Sequence, residues 1–69
     1  MMSDIYKECV LSKRKGNLIV RLLEVYQENA KGDKVCVKYE IELAHRLLFD
    51  NKIIETENIN EAMLWYKAL

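Results

Sequence analysis

The sequence predicts a small α+β domain, in which two helices pack on one face of an antiparallel sheet. Two patterns indicate this class: strict alternation of apolar and polar residues over 35–43, and apolar residues at helical spacing over 58–68. The chain has 69 residues, which is enough for one domain spanning residues 1–69.

A β-hairpin is predicted from the middle of the chain. Every odd position in 35–43 is apolar, so one face of this strand would meet a core and the other would meet water. Residues 18–27 are apolar on both alternating faces, although some of them would also cluster on a helix. Gly32 lies between the two segments and can adopt the positive φ of a hairpin turn. We therefore predict the hairpin 18–27/35–43.

The first segment, residues 5–12, fits either a strand or a helix. Its apolar spacing is helical, but Ile5, Tyr6, Cys9 and Val10 belong to residue types that favour sheets. A strand here would make 18–27 the middle of a three-stranded meander, whereas an isolated hairpin is marginal in water. A third strand is the preferred interpretation.

Two helices complete the predicted fold. Leu43, Ala44 and Leu47 recur at helical spacing and predict a short helix over about 43–50. Asn58 and Glu61 have the spacing of a capping box, which predicts a second helix over 58–68. Residues 52–55 are too few to assign.

Composition limits the class of protein. The 11 basic and 11 acidic residues balance, although residues 1–38 carry eight bases and five acids and the remainder carries the opposite excess. The N-terminus has no apolar signal-peptide core, and no stretch is long enough to span a membrane. Two cysteines, Cys9 and Cys36, are fewer than a disulfide-stapled secreted domain of this size carries, although a bond between them stays open. We expect a cytoplasmic protein with reduced thiols.

No catalytic, metal or cofactor site is predicted. The two glycines belong to no phosphate-binding pattern, and two cysteines with 26 residues between them and one histidine do not make a ligand set. His45 with Glu40 or Glu42 is the one combination that could support acid–base chemistry. Solvated surface side chains are the simpler interpretation of all three.

The sequence offers two apolar surfaces in excess of one core. One stripe of the last helix would cover the sheet, which leaves Leu64, Trp65 and Ala68 pointing elsewhere. Trp is enriched in interface cores, but Trp65 could equally be a central residue of the hydrophobic core of the fold. The second surface is the other face of residues 18–27. These protein-interface candidates on the predicted strand are Ile19, Leu23 and Val25.

The predicted function is that of a non-enzymatic protein-binding module, because a 69-residue chain is marginally stable alone and shows no reactive site. It would be a small inhibitor or adaptor, or a homodimer that acts as a regulator. Stand-alone proteins of this size are common among phage and mobile-element accessory genes, which is an analogy only. No small-molecule cofactor and no membrane partner are expected.

The alternative is a dimeric nucleic-acid-binding regulator. Lys13, Arg14 and Lys15 form one basic loop, and Lys31 and Lys34 could extend it across the hairpin ends. A sequence pI near 6.6 is low for such a module.

Overall fold

The computed structural model describes residues 4–47 and 51–69, which form four strands and one helix. In chain order these are β1 Ile5–Lys15, β2 Leu18–Glu28, β3 Lys34–His45, β4 Lys52–Thr56 and α1 Ile59–Ala68. The strands form one antiparallel meander in the order β1-β2-β3-β4. Each strand therefore pairs with its neighbour in sequence, and β1 and β4 are the edges.

Two glycine-containing turns connect the three long strands. Gly16 has a φ of 58° in the two-residue link between β1 and β2, and Gly32 has a φ of 85° between β2 and β3. Side chains with a Cβ adopt such angles at a cost, so glycine suits both turns. Asn29 closes the second turn, because its Oδ1 accepts hydrogen bonds from the backbone N–H of Lys31 at 2.9 Å and of Asp33 at 3.0 Å.

The helix packs on only one face of the sheet, and the core lies in that layer. Val20 and Leu22 of β2, Ile41 of β3 and Ala62 of α1 are fully buried there. The partly buried residues packed around them are Leu18, Tyr39, Leu43, Ile54, Met63, Trp65, Tyr66 and Leu69. Burial is thus concentrated on the side of the sheet that α1 covers.

Both ends of α1 are held by specific hydrogen bonds. Asn58 is the N-cap, and its Oδ1 accepts from the N–H groups of Asn60 at 2.8 Å and Glu61 at 3.3 Å. The Asn58 N–H donates to Thr56 Oγ1 at 3.1 Å instead of to Glu61, so the reciprocal half of a capping box is not formed. Near the other end, Lys13 Nζ donates to the Tyr66 carbonyl at 2.5 Å and lies 4.5 Å from the centre of the Tyr66 ring.

The predicted fold of two helices on a small sheet is wrong. Residues 43–45, assigned to a helix over about 43–50, continue β3, and 46–47 form a bend. The cause is cross-strand pairing: Leu43 pairs with Val20 and His45 pairs with Leu18, so the sheet outweighs a local helical spacing. Residues 48–50 lie outside the described residues.

Strands lie at the three sequence segments assigned to the sheet, and each is longer than predicted. The segment 5–12 is a strand that extends to Lys15, and the hairpin strands reach Glu28 and His45. The unassigned residues 52–55 lie in β4, whose Ile54 pairs with Ile41. A helix does lie within 58–68, with Asn58 as its cap rather than its first residue.

Replacing Leu22 with alanine should lower the free energy of unfolding by about 2–5 kcal/mol, because it opens a cavity in the layer where Val20, Ile41 and Ala62 are also fully buried. Leu64→Ala is the matched control, since Leu64 is 68% exposed on α1 and its truncation should change stability by less than about 0.5 kcal/mol. Urea denaturation of both variants measures the difference, and equal losses would contradict the placement of the core.

Replacing Lys13 with glutamine should destabilise the fold by about 0.5–1.5 kcal/mol, because the ammonium bonds a carbonyl near the C-terminus of α1 and stacks on Tyr66. Lys15→Gln is the control, because Lys15 lies two residues along the same strand and is exposed. Thermal unfolding compares the two variants, and an unchanged midpoint for Lys13→Gln would show that this contact does not hold the helix.

Candidate functional site

The sheet face opposite α1 is covered by no described element. We use the name open face for the face that carries Ile19, Arg21, Leu23 and Val25 of β2, together with their cross-strand neighbours. Register identifies these neighbours, since residues paired across antiparallel strands project to the same side. The open face includes part of every strand.

A line of apolar side chains runs along the centre of the open face. Val25 is buried, and Ile19 and Leu23 are half-buried. Ile53 of β4, which pairs with Glu42, adds a branched side chain that is 49% exposed at the margin. The three β2 residues predicted as interface candidates therefore share the face that lacks a cover.

A chain of ion pairs crosses the open face from β1 to β4. Lys7 Nζ lies 2.9 Å from Glu40 Oε1, Lys38 Nζ lies 3.8 Å from Glu40 Oε2, and the same ammonium lies 3.1 Å from Glu55 Oε1. Because β2 separates β1 from β3, the Lys7 side chain has to pass over β2 to reach Glu40. The chain of charges thereby helps to cover Val25, whose direct neighbours are Lys7 and Lys38.

Glu40 is the centre of this chain and is only 2% exposed. Its Oε1 makes no hydrogen bond of regular geometry with the described residues, so the close Lys7 ammonium serves as its ionic partner. This close contact with the Glu40 carboxylate raises the pKa of Lys7 above its ordinary value. The ammonium groups of Lys7 and Lys38 beside it offset the cost of burying this side chain.

The charges of the open face divide between its two halves. Lys7, Arg14 and Arg21 lie on β1 and β2, whereas Glu40, Glu42 and Glu55 lie on β3 and β4 together with Lys38. Arg21 and Glu42 are paired on the neighbouring strands β2 and β3, and Arg21 Nη1 lies 2.8 Å from Glu42 Oε1. One half of the face is therefore basic and the other is predominantly acidic.

The interface candidates from the helix lie on the opposite side of the molecule from the open face. Trp65 is half-buried and packs against the core, so the structure favours its role in the fold. Leu64 and Ala68 are exposed on the outer side of α1. The structure does not bring these residues together with Ile19, Leu23 and Val25.

The basic candidates for nucleic-acid binding fall into two groups at opposite ends of the sheet. The prediction of a loop at 13–15 is wrong, because these residues pair with β2 and form the end of β1. Lys31 and Lys34 adjoin the turn between β2 and β3. The molecule is 43 Å long. The Lys34 ammonium already makes an intramolecular contact, because its Nζ lies 4.3 Å from the centre of the Tyr6 ring. Lys13 contacts Tyr66, and Arg14 Nε donates to the Gly16 carbonyl at 3.0 Å.

The candidate acid–base residues are also separated. His45 pairs with Leu18, so it belongs to the helix-covered face, whereas Glu40 and Glu42 lie on the open face. His45 Nδ1 accepts the N–H of Leu47 at 3.1 Å. Within residues 4–47 and 51–69, no three His, Cys, Asp or Glu side chains lie close enough together to hold a metal ion.

The two cysteines cannot reach each other. Cys9 pairs with Leu23 and lies on the open face, whereas Cys36 pairs with Tyr26 and lies on the other face. β1 and β3 are separated by β2, which places the two backbones about 9–10 Å apart. A disulfide needs a Cα separation below about 7 Å, so both thiols are free.

A cluster of tyrosines and carboxylates was not singled out from the sequence. On the helix-covered face of the sheet, Tyr6 pairs with Tyr26, and Tyr39 pairs with Glu24. The Tyr26 hydroxyl donates to the Glu24 carboxylate, which raises the pKa of Tyr26 to about 12. The alternation Glu24, Tyr26, Glu28 was the available signal, but it becomes a cluster only when β1 and β3 are placed beside it.

No family model, curated protein or solved structure matches this chain. The one helix in the described part of the chain is too short to cross a membrane.

Tyr26 should be the last tyrosine to ionise, with a pKa of about 12, and Glu24→Gln should lower that value by removing the charged acceptor. Because the folded protein retains this proton more tightly than the unfolded chain, the bond stabilises the fold fully below pH about 10 and loses its effect as pH rises toward the folded pKa.

The ultraviolet absorbance of tyrosinate follows this titration, with circular dichroism to confirm that the protein stays folded. Tyr26→Phe is the control that assigns the late-titrating group. If the Glu24→Gln protein titrated like the wild type, the carboxylate would not be the acceptor.

Proposed function

We propose that this chain is a non-enzymatic protein-binding domain that acts in the cytoplasm through its open face. The observation that carries the proposal is that a four-stranded sheet is covered by α1 on one side only, while β2 is apolar on both sides. A central strand of this kind is typical of a sheet that is covered on both faces. The second cover would be a protein partner.

The chemistry of the open face suits a protein surface better than a small molecule. A small-molecule site is concave and encloses its ligand, whereas a sheet face is broad and offers its apolar groups along a line. Leu23 and Ile19 supply apolar contact, and the paired charges around them supply polar contacts that orient a partner. A small inhibitor or adaptor that docks on a larger protein, or a homo-oligomeric regulator, would use such a face.

Nucleic-acid binding at residues 13–15 is the weaker alternative. Two of its three cations already make intramolecular contacts, and Lys31 and Lys34 lie at the far end of the sheet. Few cations would then remain for phosphates, and each lost contact reduces the salt-dependent part of the affinity.

Replacing Leu23 with arginine should abolish capture of protein partners from a nuclease-treated lysate, because a charged side chain would stand at the centre of the apolar line. Leu64→Arg introduces the same charge on the outer side of α1 and should leave capture unchanged. Quantitative mass spectrometry compares the proteins retained by wild type and by the two variants.

Circular dichroism and thermal unfolding should show that both variants are folded. If the two variants retained the same proteins as the wild type, the open face would not be the binding surface. Capture that disappeared after nuclease treatment would instead favour the nucleic-acid alternative.

A further inference from the structure

We propose that the occupant of the open face is a second copy of this chain, packed face to face with a two-fold axis parallel to the strands. The inference rests on the proposed function and specifies the partner of that surface. The resulting dimer is a two-layer β-sandwich with α1 on each outer side.

The area of the open face meets the requirement of a stable dimer. β1, β2 and β3 have 11, 11 and 12 residues and β4 has five. With strands about 4.8 Å apart and a rise of about 3.4 Å per residue, these strands present roughly 600 Å² of flat sheet. Standard protein interfaces bury about 600–1,000 Å² on each partner, so the whole face is needed and is sufficient.

Face-to-face packing also supplies the missing second core. Among its described residues, each chain fully buries only five apolar side chains, of which Val25 alone lies on the open face. In an aligned sandwich, two sheets lie about 10 Å apart and their inward side chains interdigitate. Ile19 and Leu23 of both copies would then lie between the sheets, where they exclude water and contribute most of the affinity.

Charge determines how the two copies are oriented. A two-fold axis across the strands would place β2 over β2 of the second copy, and basic residues would face basic residues. An axis parallel to the strands, between β2 and β3, exchanges the two halves and places the basic half of each copy over the acidic half of the other. Like charges facing each other across an interface cost several kcal/mol, so the second arrangement is selected.

The pair Arg21 and Glu42 is the most specific consequence of this symmetry. They lie at the same level on the two central strands, so Arg21 of each copy faces Glu42 of the other copy. Each interface thus contains the contact twice. Charges arranged in this way determine the orientation of the two copies more than they add affinity. Most of the affinity comes from the apolar side chains of the open face.

Sedimentation equilibrium of the wild-type protein tests self-association directly. We expect a concentration-dependent mass that rises from 8.2 kDa toward twice that value. Arg21→Glu and Glu42→Arg should each weaken self-association by at least about 10-fold, because each places like charges opposite one another across the two-fold axis. Lys15→Glu is the control on the helix-covered face and should not change the dimer.

The mixture of the two variants provides the decisive measurement. At these two positions the Arg21→Glu chain carries two acidic side chains and the Glu42→Arg chain carries two basic ones. In a one-to-one mixture the acidic pair of one chain would face the basic pair of the other, so a heterodimer should form at least as tightly as the wild-type dimer. Circular dichroism checks that each variant is folded by itself. Sedimentation of the wild-type protein tests self-association without any variant, so the proposal can still be contradicted if a variant fails to fold.

The outcomes separate this proposal from the proposed function. A wild-type chain that stays monomeric at submillimolar concentration overturns self-association, whereas Leu23-dependent capture of another protein would leave the open face as a binding surface. A dimer that both charge variants preserve would show that the copies meet elsewhere, such as at the edge of β1, and would also overturn the proposal.

Discussion

The packing of one ten-residue helix against one face of a four-stranded sheet is the constraint on which the rest of the structure depends. The helix buries Ala62 against Val20, Leu22 and Ile41, and these residues hold β2 and β3 together as the centre of the fold. The open face and its paired charges therefore lie on the side of the sheet opposite to the one on which α1 docks.

The open face compensates for the missing layer with long charged side chains. Lys7 reaches across β2 to Glu40, and the aliphatic part of a lysine can cover apolar surface while its ammonium stays in contact with water. This arrangement shields Val25 fully but leaves Ile19 and Leu23 only half-buried. A partner that replaced water over these two residues would gain hydrophobic free energy without having to break the ion pairs.

Much of the sheet could be predicted from local sequence, because alternation of apolar and polar residues is a period-two signal that indicates a strand. The alternation in 35–43 is interrupted by a register shift, since Val35 pairs with Gln27 whereas Tyr39 pairs with Glu24, so these two residues lie on opposite faces of the sheet. The alternation in 18–27 correctly placed Ile19, Leu23 and Val25 on one side of β2. Residues 43–45 could not be assigned in this way, since Leu43 and Ala44 fit a helix and a strand equally well by spacing. Pairing with Val20 and Ile19 decides the question, and that pairing is non-local.

The candidate surfaces show the same limit. The modest excess of bases in residues 1–38 could be counted in the sequence, but the surface on which these bases lie could not be predicted. The order of the strands in the meander places the basic half of the open face beside the acidic half. The proximity of Lys13–Lys15 and Lys31–Lys34 was expected from a hairpin, yet they end up at opposite ends, since successive turns of a meander alternate ends. Lys13 donates a hydrogen bond to the carbonyl of Tyr66, which lies 53 residues away in sequence, so this contact could not be predicted from local sequence.

By itself, the sequence determined that the two segments of the central hairpin are strands, that Gly32 lies in the turn between them and that Asn58 caps α1. These are properties of a few neighbouring residues, whose backbone preferences do not depend on the rest of the chain. Only the tertiary structure decided that β3 continues to His45, that Trp65 packs against the core and that Glu40 is buried between two lysines. Each of these outcomes depends on residues that are distant in sequence, because side chains on a sheet are stabilised by the strands and helix that meet them.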